Sequence, residues 1–281
     1  MTNATDRVLA DCADGGQLLR SSEVGAASNW PGWFAGAHAG FRDTLLSDRG
    51  YPCHFGVNGE QAEHNWFTAL SPQDAGFGMA ELAGTLRAYL PVARTGAARQ
   101  SLVVLVGPPD ERPDLDRHAE QFWAVLRELS RHDDQSWPAG FPINPGQPNW
   151  QWCFAGQPWF VFGASPAYRE RSSRDVGPCL TLVFQLVERV FQGLGGSSLA
   201  GQAAKRQIRR RLADYDLAPP HPYLGDSQYS STYKWRQYFL PDDSRILDEQ
   251  GCPWTPPNTD SAPSIESALS TDAPPSTDEG N

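Results

Sequence analysis

Cys53 is the first residue whose setting suggests chemistry. It lies in Tyr51-Pro52-Cys53-His54-Phe55-Gly56, between a proline and a glycine that make the backbone turn. A thiol placed this way is suited to present a thiolate to a metal. Thiolate is a strong electron donor to heme iron and helps to split an O–O bond. The competing reading is a buried structural thiol, a common state of free cysteine. His221 is the second such residue, braced by prolines in Pro219-Pro220-His221-Pro222-Tyr223-Leu224-Gly225. A histidine on a rigid loop can ligate iron, and a lone histidine can equally be structural.

Other familiar constellations are missing from the sequence. It has no P-loop, no G-x-S-x-G and no H-E-x-x-H. Gly193-Leu194-Gly195-Gly196 neither follows a predicted strand nor opens a helix, as a dinucleotide fingerprint must. The 6 histidines show no zinc-ligand spacing, and no nucleophile–base pair supports a hydrolase. The 5 cysteines (Cys12, Cys53, Cys153, Cys179, Cys252) are odd in number, widely spaced and without C-x-x-C. That pattern argues against a disulfide framework or a zinc site and fits a reducing cytoplasm.

Charge and composition narrow the partners. Lys and Arg number 23 against 33 Asp and Glu, a net −10. Half of that excess is Asp260, Glu266, Asp272, Asp278 and Glu279, in a tail without Lys or Arg. The remainder is only mildly acidic, so nucleic acid is not an expected partner. No apolar run approaches the roughly 18 residues of a membrane span. The first residues lack the basic and apolar regions of a signal peptide, and a cytoplasmic protein is expected. The 10 tryptophans mostly adjoin Pro or Gly; they either line a pocket for a flat ligand or fill the core of a loop-rich fold.

The elements that must position these residues follow from periodicity. Helices are predicted over Trp33–Leu46, Met79–Arg94, Asp114–Arg131 and Gln202–Tyr215, with Gly50–Gly56 as a tight loop between the first two. Strands are predicted over Ser101–Val106, Trp150–Phe154, Trp159–Gly163 and Cys179–Leu186, the middle two forming a hairpin across Ala155-Gly156-Gln157-Pro158. The order shows no regular βαβ rhythm. The expected fold is therefore α+β, a single globular domain with a mostly antiparallel sheet flanked by helices. Residues 1–25 and the acidic, Pro/Ser/Thr-rich 255–281 are expected to be disordered, leaving a domain over 26–254.

Taken together, several segments resemble the YqcI/YcgG family. Tyr51–Gly56 resembles its aromatic-Pro-Cys-x-Phe-Gly motif, and Asn149–Val161 its central hairpin. Ser165–Arg174 is similar to its Pro-Ala-His-x-x-Arg-x-Ser-Arg element, with Tyr168 where many relatives have histidine. His221–Gly225 and Trp235–Pro241 resemble its C-terminal signatures, so the likeness runs from about Gly32 to Arg245. The resemblance implies a heme-dependent monooxygenase that uses dioxygen or peroxide to hydroxylate a guanidine nitrogen. The implied substrate is L-arginine, converted to Nω-hydroxy-L-arginine in making a small antibiotic such as D-cycloserine. A non-catalytic heme sensor or carrier, and a cofactor-free binding module, are the alternatives.

That chemistry assigns further candidates. For heme b the axial ligand is Cys53 first, then His221, then Tyr168. Arg169, Arg171 and Arg174 are placed to clamp the heme propionates, unless they form surface salt bridges. Glu60, Glu63 and Asp74, near Cys53 in sequence, could take a substrate guanidinium in bidentate geometry, unless they are solvated loop charges. Lys205, Arg206, Arg209 and Arg210 give the last predicted helix a basic face, either plain solvated surface or a dock for an acidic electron-donor protein.

Overall fold

A computed structural model of the chain describes residues 17–193, 198–224, 233–248 and 251–256. The disorder expected for 1–16 and 257–281 lies outside the described residues, as does Gly225. The strands are β1 (Leu19–Arg20), β2 (Asn65–Leu70), β3 (Ser101–Val106), β4 (Trp152–Phe154), β5 (Gln157–Ala164) and β6 (Leu180–Leu186), in one sheet of order β1-β2-β3-β6-β5-β4. Only β2 and β3 run parallel; each other neighbouring pair is antiparallel, as expected. A parallel pair needs a crossover, here carried by helix α3.

Among the described residues, five helices of eight residues or more flank the sheet: α1 (Phe34–Leu46), α2 (His54–Gln61), α3 (Met79–Thr95), α4 (Leu115–Arg131) and α5 (Leu199–Tyr215). One sheet face, with Trp66, Leu102, Val104, Val161, Leu182 and Phe184, packs on α3 and α4. The other, with Phe67, Val103, Leu105 and Ala164, packs on α1 through Phe34, Ala37, Phe41 and Leu45. Cover on both faces explains why β3 reads as an unbroken apolar run, since alternation appears only where one face meets water. Helix α4 starts where Asp114 accepts from the Arg117 N–H at 2.9 Å.

The β4–β5 hairpin turns on Ala155 (φ 50°) and Gly156 (φ 65°), the left-handed pair of a type I′ turn. It pairs Trp152 with Trp159 across the ladder. The tryptophans settle mainly as core: Trp66, Trp150, Trp152, Trp159, Trp235 and Trp254 are fully buried, all six in the α4-side cluster. Gly163 shows how tight that layer is. A Cβ there would stand 2.6 Å from Phe239 and 2.9 Å from Phe122. Gly163→Ala is expected to cost about 1–3 kcal/mol by overpacking, read as a lowered thermal midpoint.

Three elements depart from the sequence reading. Gly50–Gly56 is not loop throughout, because α2 begins at His54 and Cys53 is its N-cap. Its two glycines disfavour a helix in isolation, but Gly59 lets the backbone approach β2: a Cβ there would meet Asn65 Oδ1 at 2.9 Å. β2 itself, buried at every position, had no expected counterpart. The folded chain also starts before residue 26. Leu19 and Arg20 pair with Phe67 and Trp66, and Val24 is buried.

Candidate functional site

The α1 face of the sheet does not close completely. Between β2, β3, β5 and β6 below and α1, α2 and Tyr51 above lies a cavity of about 150 Å³, or about 610 Å³ counted out through its open mouth. Its apolar walls include Phe41, Leu45, Phe160, Phe162, Val103 and Val183, and Cys53 and Gly56 line it at the start of α2. Tyr51 anchors the approach to Cys53 by donating to the Ser173 carbonyl at 2.7 Å.

Cys53 is the one candidate ligand among those named above that faces this cavity. Its side chain makes no capping hydrogen bond to α2, but the nearby backbone N–H groups of Gly56 and Phe55 favour the thiolate, as do the charges of Arg174 and Arg211. Burial outweighs them and raises the thiol above its ordinary value, so it is protonated near neutrality. Arg211 reaches the site by donating to His54 Nδ1 at 3.0 Å. The other described cysteines offer no substitute: Cys153 and Cys179 are buried, and burial pushes Cys179 and Cys252 up to about 12.

His221 and Tyr168 are held elsewhere. His221 is completely buried, with Nε2 on the Arg245 carbonyl at 3.2 Å and Nδ1 accepting from the Tyr223 N–H at 3.2 Å. Both ring nitrogens are engaged, so a metal would have to displace a structural bond. Burial, then nearby Arg171, lowers its pKa to about 4. The unfolded chain therefore takes up a proton between pH 6.5 and about 4 that the folded protein refuses. The resulting stability is complete above pH 6.5 and is lost as pH falls through that window. At about 1.4 kcal/mol per unit, the parent should lose roughly 3 kcal/mol more than His221→Gln across it, measured by urea unfolding at each pH. Tyr168 is buried and donates to the Leu240 carbonyl at 2.6 Å.

The arginine-rich element forms a clasp rather than an open carboxylate clamp. The Arg171 guanidinium donates to the carbonyls of Pro241 (2.9 Å), Pro219 (3.0 Å) and Asp243 (2.6 Å). Arg174 donates to those of Gly163 (2.9 Å), Tyr238 (3.2 Å) and Gln237 (3.0 Å), and stacks on Phe162 at 4.2 Å. Arg169 keeps its side chain in solvent while its N–H, with those of Glu170 and Arg171, is held by the Asp242 carboxylate. The segments around 165–174, 219–224 and 235–243 are thus tied together by backbone carbonyls. None of the three arginines lines the cavity; Arg174 comes nearest, stacked on the wall residue Phe162.

The acidic candidates also have partners. Glu60 is buried, paired with Arg42 Nε at 3.0 Å, and accepts from Ser21 Oγ and, at 3.0 Å, from Asn65 Nδ2. Glu63 accepts from the N–H and hydroxyl of Ser22, each at 3.1 Å. Asp74 accepts from Ser71 Oγ at 2.6 Å within a turn. None is a free carboxylate in the cavity. On α5, Arg209 is spent on the carbonyls of His221 and Leu224, while Arg206 and Arg210 stay exposed. Asn65, Ser101 and Gln185, which do line the cavity, were missed because nothing in their local sequence marks them. Strand register brings them together.

Fold and site together define a single α+β domain with one thiol presented to an apolar cavity, and sequence comparison then places it. The chain belongs to the YqcI/YcgG family, whose profile matches residues 41–255. It is 37% identical over 178 residues to the uncharacterized protein YcgG of Bacillus subtilis (strain 168), covering 62% of this chain and 69% of that one. It is 30% identical over 257 residues to a Streptomyces lavendulae protein named "Putative N(omega)-hydroxy-L-arginine synthase DcsA", covering 88% and 92%. No solved structure matches the chain. No described helix is long and apolar enough to cross a membrane, and the described residues hold no cluster of three or more His, Cys, Asp or Glu fit to bind a metal ion.

Proposed function

We propose that the protein is a heme-dependent monooxygenase that hydroxylates a guanidine nitrogen, with L-arginine as the substrate and Nω-hydroxy-L-arginine as the product. The relative's name supports the substrate class. The observation that carries the reading is Cys53: a thiol facing an apolar cavity at the N-terminus of α2. A one-thiol donor set suits an iron held mainly by its porphyrin. The aromatic and aliphatic walls suit the ring, which needs the cavity of about 150 Å³ to open wider than it stands here.

Heme b bound there would supply the activation of dioxygen or peroxide that no side chain can provide, and a thiolate ligand favours O–O cleavage. The protein's own residues do the rest. Cys53 loses its proton on ligation, and the N–H groups of Phe55 and Gly56 with the charges of Arg174 and Arg211 then stabilise the thiolate. Phe41, Phe160 and Phe162 exclude water, and the apolar walls take the methylene chain of the substrate. Dioxygen requires a reductant and peroxide does not, so the two oxidants separate in assay.

The test is the absorption spectrum of protein expressed with added heme, followed by incubation with L-arginine and either peroxide or dioxygen with a reductant. A heme band and hydroxyarginine detected by mass are expected. Absence of a heme band overturns the cofactor, and a heme band without product leaves a heme sensor or carrier.

A further inference from the structure

The floor of the cavity is not uniformly apolar. Register sets Asn65 opposite Ser101 across the parallel β2–β3 pair, and Gln185 opposite Phe160 across β5–β6. Between them, Gln185 Nε2 donates to Ser101 Oγ at 2.9 Å. Asn65, Ser101, Gln185 and Phe160 therefore form one row across four adjacent strands, all lining the cavity. Two residues further along, on the same face, the row is Val103, Val183 and Phe162. The polarity is confined to one end of the sheet.

The hydrogen bonds fix which atoms that row can offer. Glu60 accepts only, so Asn65 must turn Nδ2 towards it and keep its carbonyl oxygen for another partner. Gln185 gives one of its two Nε2 N–H groups to Ser101, and in that orientation Oε1 can accept from a ligand. What the row presents is oxygen, backed by a buried carboxylate. Such a set receives N–H groups and rejects anions. Helix α2 reinforces the gradient: Cys53 caps its positive N-terminus and Glu60 lies in its last turn, roughly 10 Å away along the axis. Arg174 and Arg211 add positive charge at the cysteine end, while Arg42, paired with Glu60 at 3.0 Å, offsets part of the carboxylate's charge at the other.

We infer that the Asn65–Ser101–Gln185 row, supported by Glu60, is the specificity site that receives the guanidinium of the substrate and orients it away from the N-terminus of α2. This rests on the function proposed above and names the residues that read the substrate. Gln185 and Ser101 meet the N–H groups of the ligand, and Glu60 is a positioning residue that acts through Asn65. A guanidinium offers five N–H donors in one plane, whereas the ureido group of citrulline has the same shape, fewer donors and no charge.

The experiment is calorimetric binding of L-arginine and L-citrulline to the full-length protein and to Gln185→Leu and Gln185→Glu. Heme absorbance and thermal midpoint are recorded for each as the folding control. The parent is expected to prefer arginine. Gln185→Leu should weaken arginine about tenfold or more, as loss of a hydrogen bond to a charged group does. Gln185→Glu should tighten arginine and weaken citrulline, a reversal that damaged folding cannot produce. If the parent binds arginine and both variants match it, the row is not the recognition site. If the parent binds no arginine, the guanidine reading itself falls, and loss of the heme reading shows separately in the absorbance.

Discussion

Cys53→Ala is expected to yield a folded protein whose heme, if still taken up, lacks the strongly red-shifted band that a thiolate ligand gives the reduced carbon monoxide complex. Arginine hydroxylation should fall to background. The side chain is half-buried at the edge of the α1-side cluster, so removing it opens the existing cavity rather than the closed core. A loss of about 1 kcal/mol is expected, small beside the ordinary stability of a domain. The thiol lies above its usual value and must lose a proton to bind, so heme affinity in the parent should rise with pH below that value. The alanine variant should lose that slope. A red-shifted band that survives the substitution would place the ligand elsewhere and remove Cys53 from the site.

The second large effect concerns stability and separates two roles for the arginines. If Arg171 held a propionate, Arg171→Ala would weaken heme binding and leave the heme-free protein unchanged. The geometry predicts the opposite. Three carbonyls, on Pro219, Pro241 and Asp243, lose their donor at once in a buried position. At about 1–3 kcal/mol for each unsatisfied group, the heme-free protein should lose about 4 kcal/mol or more. In a domain of this size that lowers the thermal midpoint by roughly 10 °C. Arg171→Lys should recover little of it, because one ammonium cannot span three carbonyls fixed in a fork. Thermal unfolding of heme-free protein decides; an unchanged midpoint would return Arg171 to the pool of possible heme contacts.

Much of the scaffold was legible because it follows local rules. Ser101–Val106 is a strand at its expected limits, Asp114 caps the helix predicted after it, and the turn at Ala155-Gly156 joins the expected hairpin. The misses have a common origin in tertiary context. Helix α2 forms from a glycine-rich segment because Gly59 packs against Asn65, and β2 is buried on both faces, so its sequence shows no alternation. Cys53 could be singled out from Pro52 and Gly56 alone, since a thiol at a forced turn is a local pattern. The arginines and His221 could not be placed that way. Their partners are backbone carbonyls, which every residue carries and no sequence pattern marks. Asn65, Ser101 and Gln185 are unremarkable separately and become a site only through register.

The N-terminal strand carries a consequence for how the molecule avoids its own kind. β1 has 2 residues and β4 has 3, so both rims of a sheet whose inner strands run from 6 to 8 residues are stubs. Short rims leave little open hydrogen-bond ladder for another molecule to extend. β1 is also secured from two sides, through Ser21 on Glu60 and Ser22 on Glu63. A chain trimmed to begin at residue 26 would bare Trp66 and Phe67, the positions of β2 that β1 pairs, to another chain. The same cut would take away the hydroxyl that Glu60 receives from Ser21, so self-association and ligand recognition would be disturbed together.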